Sequence, residues 1–300
     1  MSTMSAMIPD ADEARRLLAT PPGQPGSGRL RYGAAMALHG AGLLDGEVLE
    51  AYRICALLDG EDPLAVLRAR GGRPPPPAPP APPSAALATA ALVAEADLYL
   101  AGLGGPGPAE ARAGIAAARQ AADVPAPGAP HPVVQRWLGP ALAALGRDRP
   151  GLAAAIAAAA PHLRWGAYDS YPRARIGDAF AEGHAFAPLA GEEAPFLARD
   201  FELGLFLIAP RILYRDHRHR APELYAPLTG PHSWRFGPDR PLLALPAHRP
   251  VWNDPFRPHA TRVGDIPFLC LYAWTRDVSD PAEVVEAADW ARLEAPGAAP

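Results

Sequence analysis

The sequence predicts an α+β protein: a small antiparallel β-barrel over residues 166–300, preceded by a helical segment at 85–165, with an extra helical module at 26–70. Three observations carry this expectation. Alanine-rich apolar residues recur at helical spacing through the first half of the chain. A proline-rich run, residues 71–84, separates two such helical stretches. After residue 176, aromatic and β-branched residues replace alanine in short runs punctuated by Pro, Gly, Asp and Asn, the pattern of a sandwich or small barrel.

The chain has 300 residues, 49% of them hydrophobic, enough for a sizeable core. Its basic residues are all arginine, and the net charge is −4. A nucleic-acid binder would carry a basic surplus, so nucleic acid is not an expected partner. Cys55 and Cys270 fall in different expected domains without metal-ligand spacing, which fits buried thiols in a reducing, cytoplasmic compartment. The N-terminus places Asp10, Asp12 and Glu13 where an export signal would be apolar. The most membrane-like run, 85–103, is interrupted by Glu95 and Asp97, so no membrane association is expected.

Taken in order, residues 1–25 end in Pro21-Pro22-Gly23-Gln24-Pro25 and are expected to be a disordered tail. Residues 26–70 read as short helices, with Gly40-Ala41-Gly42 as a break and Asp62-Pro63 as an N-cap followed by proline at the first helical position. A module this small is near the lower limit for folding alone, so it is expected to dock on the main body or on a second copy of the chain, as in a homodimer. Residues 71–84 read as a polyproline spacer of roughly 40 Å. Helices are expected at 85–103, 108–122, 132–145 and 151–160, the second opened by Pro108 and the third by Pro132. Strands are expected at 184–189, 201–209, 212–217, 223–228, 233–236, 250–252 and 266–274, with one short helix after Pro281.

The chemistry concentrates in His217-Arg218-His219-Arg220-Ala221-Pro222-Glu223-Leu224-Tyr225. His217, His219, Glu223 and Tyr225 share one parity, so on two strands joined by a short hairpin they project from one face. His259 follows a proline where a further strand could return it to the same interior. Three imidazoles and a carboxylate suit a divalent metal, Zn, Fe, Mn or Ni, with positions left open for substrate. Tyr225 is placed to be a further ligand or a general base. Arg218 and Arg220 have the opposite parity and are expected in solvent. His131, His162, His184, His232 and His248 have no spacing that gathers them.

The series from His217 through Glu223 to Gly230 resembles the first motif of the cupin barrels, the double-stranded β-helix fold. The second motif is reduced to Asp254-Pro255-Phe256-Arg257-Pro258-His259, without its glycine and asparagine. Within the cupins, the chain resembles the dimethylsulfoniopropionate (DMSP) lyases of the DddQ type. Tyr225 after the glutamate, Tyr214 before the histidine pair and the closing strand Leu271-Tyr272-Ala273-Trp274 carry that likeness, over about residues 85–280.

The resemblance implies a metal-dependent lyase that removes the α-proton of a zwitterionic sulfonium carboxylate and releases dimethyl sulfide and acrylate. It implies His217, His219, Glu223 and His259 as metal ligands, Tyr225 as ligand and base, and Tyr214 as a substrate-orienting residue or alternative base. No other cofactor is implied. A sulfonium suits an aromatic face, with Trp274 the first candidate and Tyr214 the second. A cupin oxygenase or isomerase, or a non-catalytic ligand-binding cupin, are the alternatives on the same metal site; two tyrosines beside the metal favour proton abstraction.

Overall fold

The structure is a computed structural model and describes residues 11–75, 83–123 and 125–295. The chain divides into two compact units, Met1–Pro82 and Pro83–Pro300.

The first unit contains α1 (Ala11–Leu18), α2 (Ser27–Gly40), α3 (Gly46–Ile54) and α4 (Pro63–Ala69). Leu38, Val48, Tyr52 and Leu67 form its centre. Part of the expected disordered tail is therefore helical. Ala14 and Leu18, one turn apart, bury one face of α1 against that centre. Residues 1–10 of the tail and 76–82 of the expected spacer lie outside the described residues. Asp62 caps α4 by accepting from the Leu64 N–H at 2.9 Å, with Pro63 at the first turn, as the sequence indicated. The Asp59 carboxylate accepts from the N–H groups of Gly26 and Gly28, both at 2.8 Å, and so satisfies the start of α2 from a distance.

The second unit opens with α5 (Ala85–Ala101), α6 (Pro108–Ala117), the short strand β1 (Arg119–Gln120), α7 (Pro132–Leu145) and α8 (Pro150–Ala159). Proline opens three of these helices, where its missing N–H costs nothing. Two short helices, α9 (Arg173–Ile176) and α10 (Asp178–Gly183), occupy a passage with no helical periodicity in sequence. The strands follow: β2 (His184–Gly191), β3 (Phe196–Leu197), β4 (Glu202–Ile208), β5 (Leu213–Arg218), β6 (Glu223–Pro227), β7 (His232–Arg235), β8 (Leu243–Leu245), β9 (Val251–Asn253), β10 (His259–Arg262), β11 (Phe268–Trp274) and β12 (Glu283–Val284). The chain ends in α11 (Trp290–Glu294). The helix expected after Pro281 begins only at Trp290, because residues 283–284 add β12 to the edge of β5.

One sheet has the order β1-β3-β2-β4-β11-β6-β9 and the other β12-β5-β10-β7-β8. The eight strands from β4 to β11 thus divide between the sheets as β4-β11-β6-β9 and β5-β10-β7-β8, the jelly-roll order of the double-stranded β-helix. The barrel of the sequence reading is two facing sheets, antiparallel except for the β2–β3 pair, with no ladder closing one onto the other among the described residues.

Side-chain alternation explains the layers. Leu203, Leu205, Leu207, Leu224, Ala226, Leu269, Leu271 and Ala273 point to the alanine-lined helices α5 to α8. Phe206, Ile208, Tyr225, Phe268, Cys270 and Tyr272 point the other way, into the space between the sheets, where they meet Tyr214 and Trp234 of the second sheet. Alanine on the helix faces lets the helices lie close to the sheet. No helix among the described residues is long and apolar enough to cross a membrane.

Candidate metal centre and its cavity

β5 and β6 do not form the hairpin that the parity of their residues suggested. They belong to opposite sheets, and the turn at 219–222 carries the chain from one to the other. The ligand-type residues therefore converge across the gap between the sheets. His217 on β5 lies opposite His259 on β10. Glu223 on β6 lies between Trp274 on β11 and Asn253 on β9.

A bulge sets the aim of β5. Between the pairs His259↔His217 and Thr261↔Tyr214 the register shifts, so three steps on β5 oppose two on β10. Tyr214 and His217, of opposite parity, thereby reach the same side, and their rings stack at 3.8 Å. Asp216 turns outward instead. It is fully buried, accepts from Arg235 Nε at 2.9 Å and from Trp290 Nε1 at 2.8 Å, and forms a further ion pair with the same guanidinium.

Each of the three imidazoles is fixed by its own backbone. The Nδ1 atoms of His217, His219 and His259 lie 2.8, 2.7 and 2.9 Å from the carbonyl oxygens of Arg215, Ala221 and Arg257. A carbonyl only accepts, so Nδ1 carries the proton in all three and Nε2 presents a lone pair. One ligand atom from each ring lies within 4.8 Å of the others, and all three residues are buried. The Nε2 atoms of His217 and His259 are buried with no hydrogen-bond partner.

Glu223 completes the set. Its Oε2 is 3.2 Å from His219 Nε2 and 3.3 Å from His259 Nε2. With protons on Nδ1, these contacts bring lone pairs towards lone pairs, an arrangement that a cation between them resolves. The carboxylate is held from behind: Asn253 Nδ2 donates to Oε2 at 2.9 Å and Trp274 Nε1 donates to Oε1 at 2.8 Å. Burial opposes its charge, yet the two imidazoles, when protonated, hold the carboxyl well below the usual range, and a cation between them would act in the same direction. Burial, then repulsion by His259 and His219, holds His217 well below the usual histidine range and so neutral. The donor set fits a divalent metal ion, with hard and borderline nitrogen and oxygen donors in ligating protonation states.

Beside this cluster lies a cavity of about 300 Å³ lined by aromatic rings, among them Tyr168, Tyr171, Phe206, Tyr214, Tyr272 and Trp274, together with Glu223, Tyr225 and Glu202. Burial, then the Glu223 charge, pushes the Tyr225 phenol well above its ordinary range. Burial does the same to Tyr214, whose hydroxyl meets that of Tyr171 at 2.8 Å. Trp274, the first candidate for the aromatic face, lines the cavity, and its ring centroid lies 4.6 Å from that of His219.

The structure thus brings together His217, His219, Glu223, Tyr225, His259, Tyr214 and Trp274. Arg218 and Arg220 stay outside, paired with Glu283 and with Asp277 and Asp280. His184 and His232 serve the fold: His184 bridges the Phe180 carbonyl and the Tyr168 N–H, and His232 bridges Thr229 and the Gly264 N–H. Sequence reasoning missed Asn253, Tyr171 and Glu202. None of the three had a signal without the strand order: Asn253 falls one residue past the strand expected at 250–252 and meets Glu223 only through the pairing of β9 with β6.

The dimethylsulfoniopropionate lyase family matches residues 109–270. The dimethylsulfoniopropionate lyase DddQ of Ruegeria pomeroyi is 29% identical over 109 residues, 36% of this chain and 54% of that protein. The chain therefore spans about half the length of the curated relative it matches. A chain from the crystal structures of the DMSP lyases RdDddP and RnDddQII superposes with a TM-score of 0.51 and 25% identity, covering 68% of this chain and 100% of that one. The crystal structure of DddQ from Ruegeria pomeroyi DSS-3 gives 0.49 and 23%, covering 68% and 97%. With the match reaching over more than half of the sequence and enclosing all four ligand-type residues, the chain belongs to the dimethylsulfoniopropionate lyase family.

Proposed function

We propose that this protein is a metal-dependent carbon–sulfur lyase that cleaves DMSP to dimethyl sulfide and acrylate by β-elimination. The observation that carries the reading is the convergence of three proton-free Nε2 atoms and the Glu223 carboxylate beside an aromatic cavity that also holds Tyr225. His217, His219, Glu223 and His259 would hold the metal. A divalent ion bound there supplies Lewis acidity toward the substrate carboxylate and a positive field that favours the Tyr225 phenolate over the phenol.

The protein's own groups do the rest. Trp274 and Asn253 keep Glu223 oriented. The rings of the cavity exclude water and face the cationic sulfur. Tyr225 takes the α-proton, the C–H electron pair becomes the new C=C bond, and the C–S bond breaks with its pair on sulfur. Dimethyl sulfide leaves neutral and acrylate remains. Tyr214, stacked on His217 and bonded to Tyr171, borders the substrate and orients it.

The test is incubation of the metal-loaded protein with DMSP and measurement of headspace dimethyl sulfide and of acrylate. Tyr225→Phe should lose turnover by a factor of about 100 or more while keeping its bound metal. Absence of both products across several divalent metals would sink the reading, and near-normal turnover in Tyr225→Phe would remove the assigned base.

A further inference from the structure

The cavity contains a second carboxylate, and its position is set by the sheet. Across β4, β11 and β6 the register places Glu202, Trp274 and Glu223 in one row. All three line the cavity. Two strand spacings separate the ends of that row, about 10 Å at backbone level.

Glu202 has no arginine partner among the described residues; its hydrogen-bond partner is the Tyr272 hydroxyl. By contrast Asp280, also on the cavity rim, has an arginine partner in Arg220, 3.5 Å away. The Tyr272 contact is built into the backbone. Tyr272 pairs with Gly204, and a Cβ on Gly204 would stand 2.7 Å from the Tyr272 ring and 2.8 Å from its hydroxyl. Glycine at 204 is what lets the ring lie across β4 and reach Glu202. Phe186 and Phe206 flank the same ring, with centroids 6.5 and 6.3 Å away.

We infer that Glu202, braced by Tyr272, is the recognition residue for the positively charged end of the substrate, so that the cavity selects compact onium carboxylates over neutral carboxylates of the same shape. This rests on the reading that the substrate carboxylate lies at the Glu223 end. The lengths agree. A carboxylate and an onium centre joined by two methylenes are about 4 Å apart. Adding one contact at each end spans the row from the metal cluster to Glu202. Burial pushes the Glu202 carboxyl above its ordinary range, as expected of a charge whose partner arrives with the ligand. The pairing is present in the bound substrate and disappears when the C–S bond breaks, because dimethyl sulfide is neutral. Glu202 therefore strengthens binding without lowering the barrier from the bound state.

Two sulfur-free isosteres separate charge from shape: 3-(trimethylammonio)propanoate and 4,4-dimethylpentanoate differ by one positive charge. Titration calorimetry on the metal-loaded full chain should give the cation roughly tenfold or more tighter binding. Glu202→Gln should remove most of that ratio by weakening the cation alone, with binding of 4,4-dimethylpentanoate unchanged as the check on folding. With DMSP, the same variant should raise KM about tenfold and change kcat by less than about twofold.

Tyr272→Phe, which leaves the carboxylate in place but unbraced, should lower the ratio severalfold and carries the test should Glu202→Gln not fold. No preference for the cation in the wild-type protein, or a ratio untouched by both variants, overturns the inference. Because neither isostere can release dimethyl sulfide, the outcome is read separately from that of the headspace assay.

Discussion

Asp216→Asn probes the link between the bulged strand and the rest of the second unit. The wild-type carboxylate is wholly enclosed and takes three donors, two from Arg235 and one from Trp290. Asparagine keeps one acceptor oxygen and points an N–H₂ at a donor. Breaking a buried ion pair from one side costs about 3–5 kcal/mol. Arg235 keeps Asp289, whose two oxygens both lie 2.9 Å from Nη1, so the lower end applies, about 3 kcal/mol.

All six tryptophans lie after residue 82. Tryptophan fluorescence, excited apart from tyrosine, in a urea titration therefore reports the second unit alone. With a slope of about 3 kcal/mol per molar urea, the midpoint should fall by about 1 M. Asp289→Asn, on a partly exposed partner, should lower it by a third of that or less. A midpoint shift below about 0.3 M for Asp216→Asn would refute the assignment of Asp216 as the buried anchor of β5 and α11.

Acid should weaken the same unit. Burial pushes His184 and His232 both down to about 4, whereas unfolded histidine titrates near 6.5. Between those values the unfolded chain holds more protons than the folded one, so stability is lost as pH falls through that window, by up to about 3 kcal/mol per histidine. Urea midpoints on metal-free protein should drop from pH 7 to pH 4.5, and His232→Gln should flatten the slope; equal midpoints across that range would contradict it. The metal cluster gives a further expectation. Addition of Zn²⁺ or Mn²⁺ to chelator-treated protein should raise its melting temperature, and His219→Ala should abolish the rise. Trp274→Phe, which deletes one donor to Glu223, should weaken metal affinity about 10- to 100-fold in a chelator competition, and unchanged affinity would count against the bracing role.

The seven strands expected from sequence all exist within about two residues of their expected ends; β2, β4, β6 and β11 are runs of alternating side chains with one face on the alanine helices, and β5 and β7 bury theirs in the space between the sheets. The strands that were missed are short or polar. β10 reads His-Ala-Thr-Arg and is buried by its neighbours rather than by its own hydrophobicity. Parity located His217, His219, Glu223 and Tyr225, though the hairpin invoked for it was wrong: the sheet crossing between β5 and β6 preserves the convergence by another route. Tyr214 has the opposite parity, and only the bulge, which depends on the pairing with β10, turns it inward. Glu202 is further still from local inference, since its place beside Trp274 comes from the pairing of two strands about 70 residues apart. The helix in residues 11–18 was hidden by the prolines after it, which end the helix without forbidding it.

The three backbone clasps on the imidazoles have a consequence for how the site tolerates change. Each ring is held by a carbonyl two residues away in its own segment, at Arg215, Ala221 and Arg257, and a carbonyl is supplied by every amino acid. The tautomers that present Nε2 inward are thus independent of which side chains stand at those positions. Substitutions there leave the donor atoms aimed as long as the local backbone keeps its course. This accounts for the second histidine motif, which lacks its customary glycine and asparagine and still delivers His259 to its place opposite His217. What the motif spells in letters is more than the site requires; the requirement is a histidine at the right register and a strand that bends back toward it.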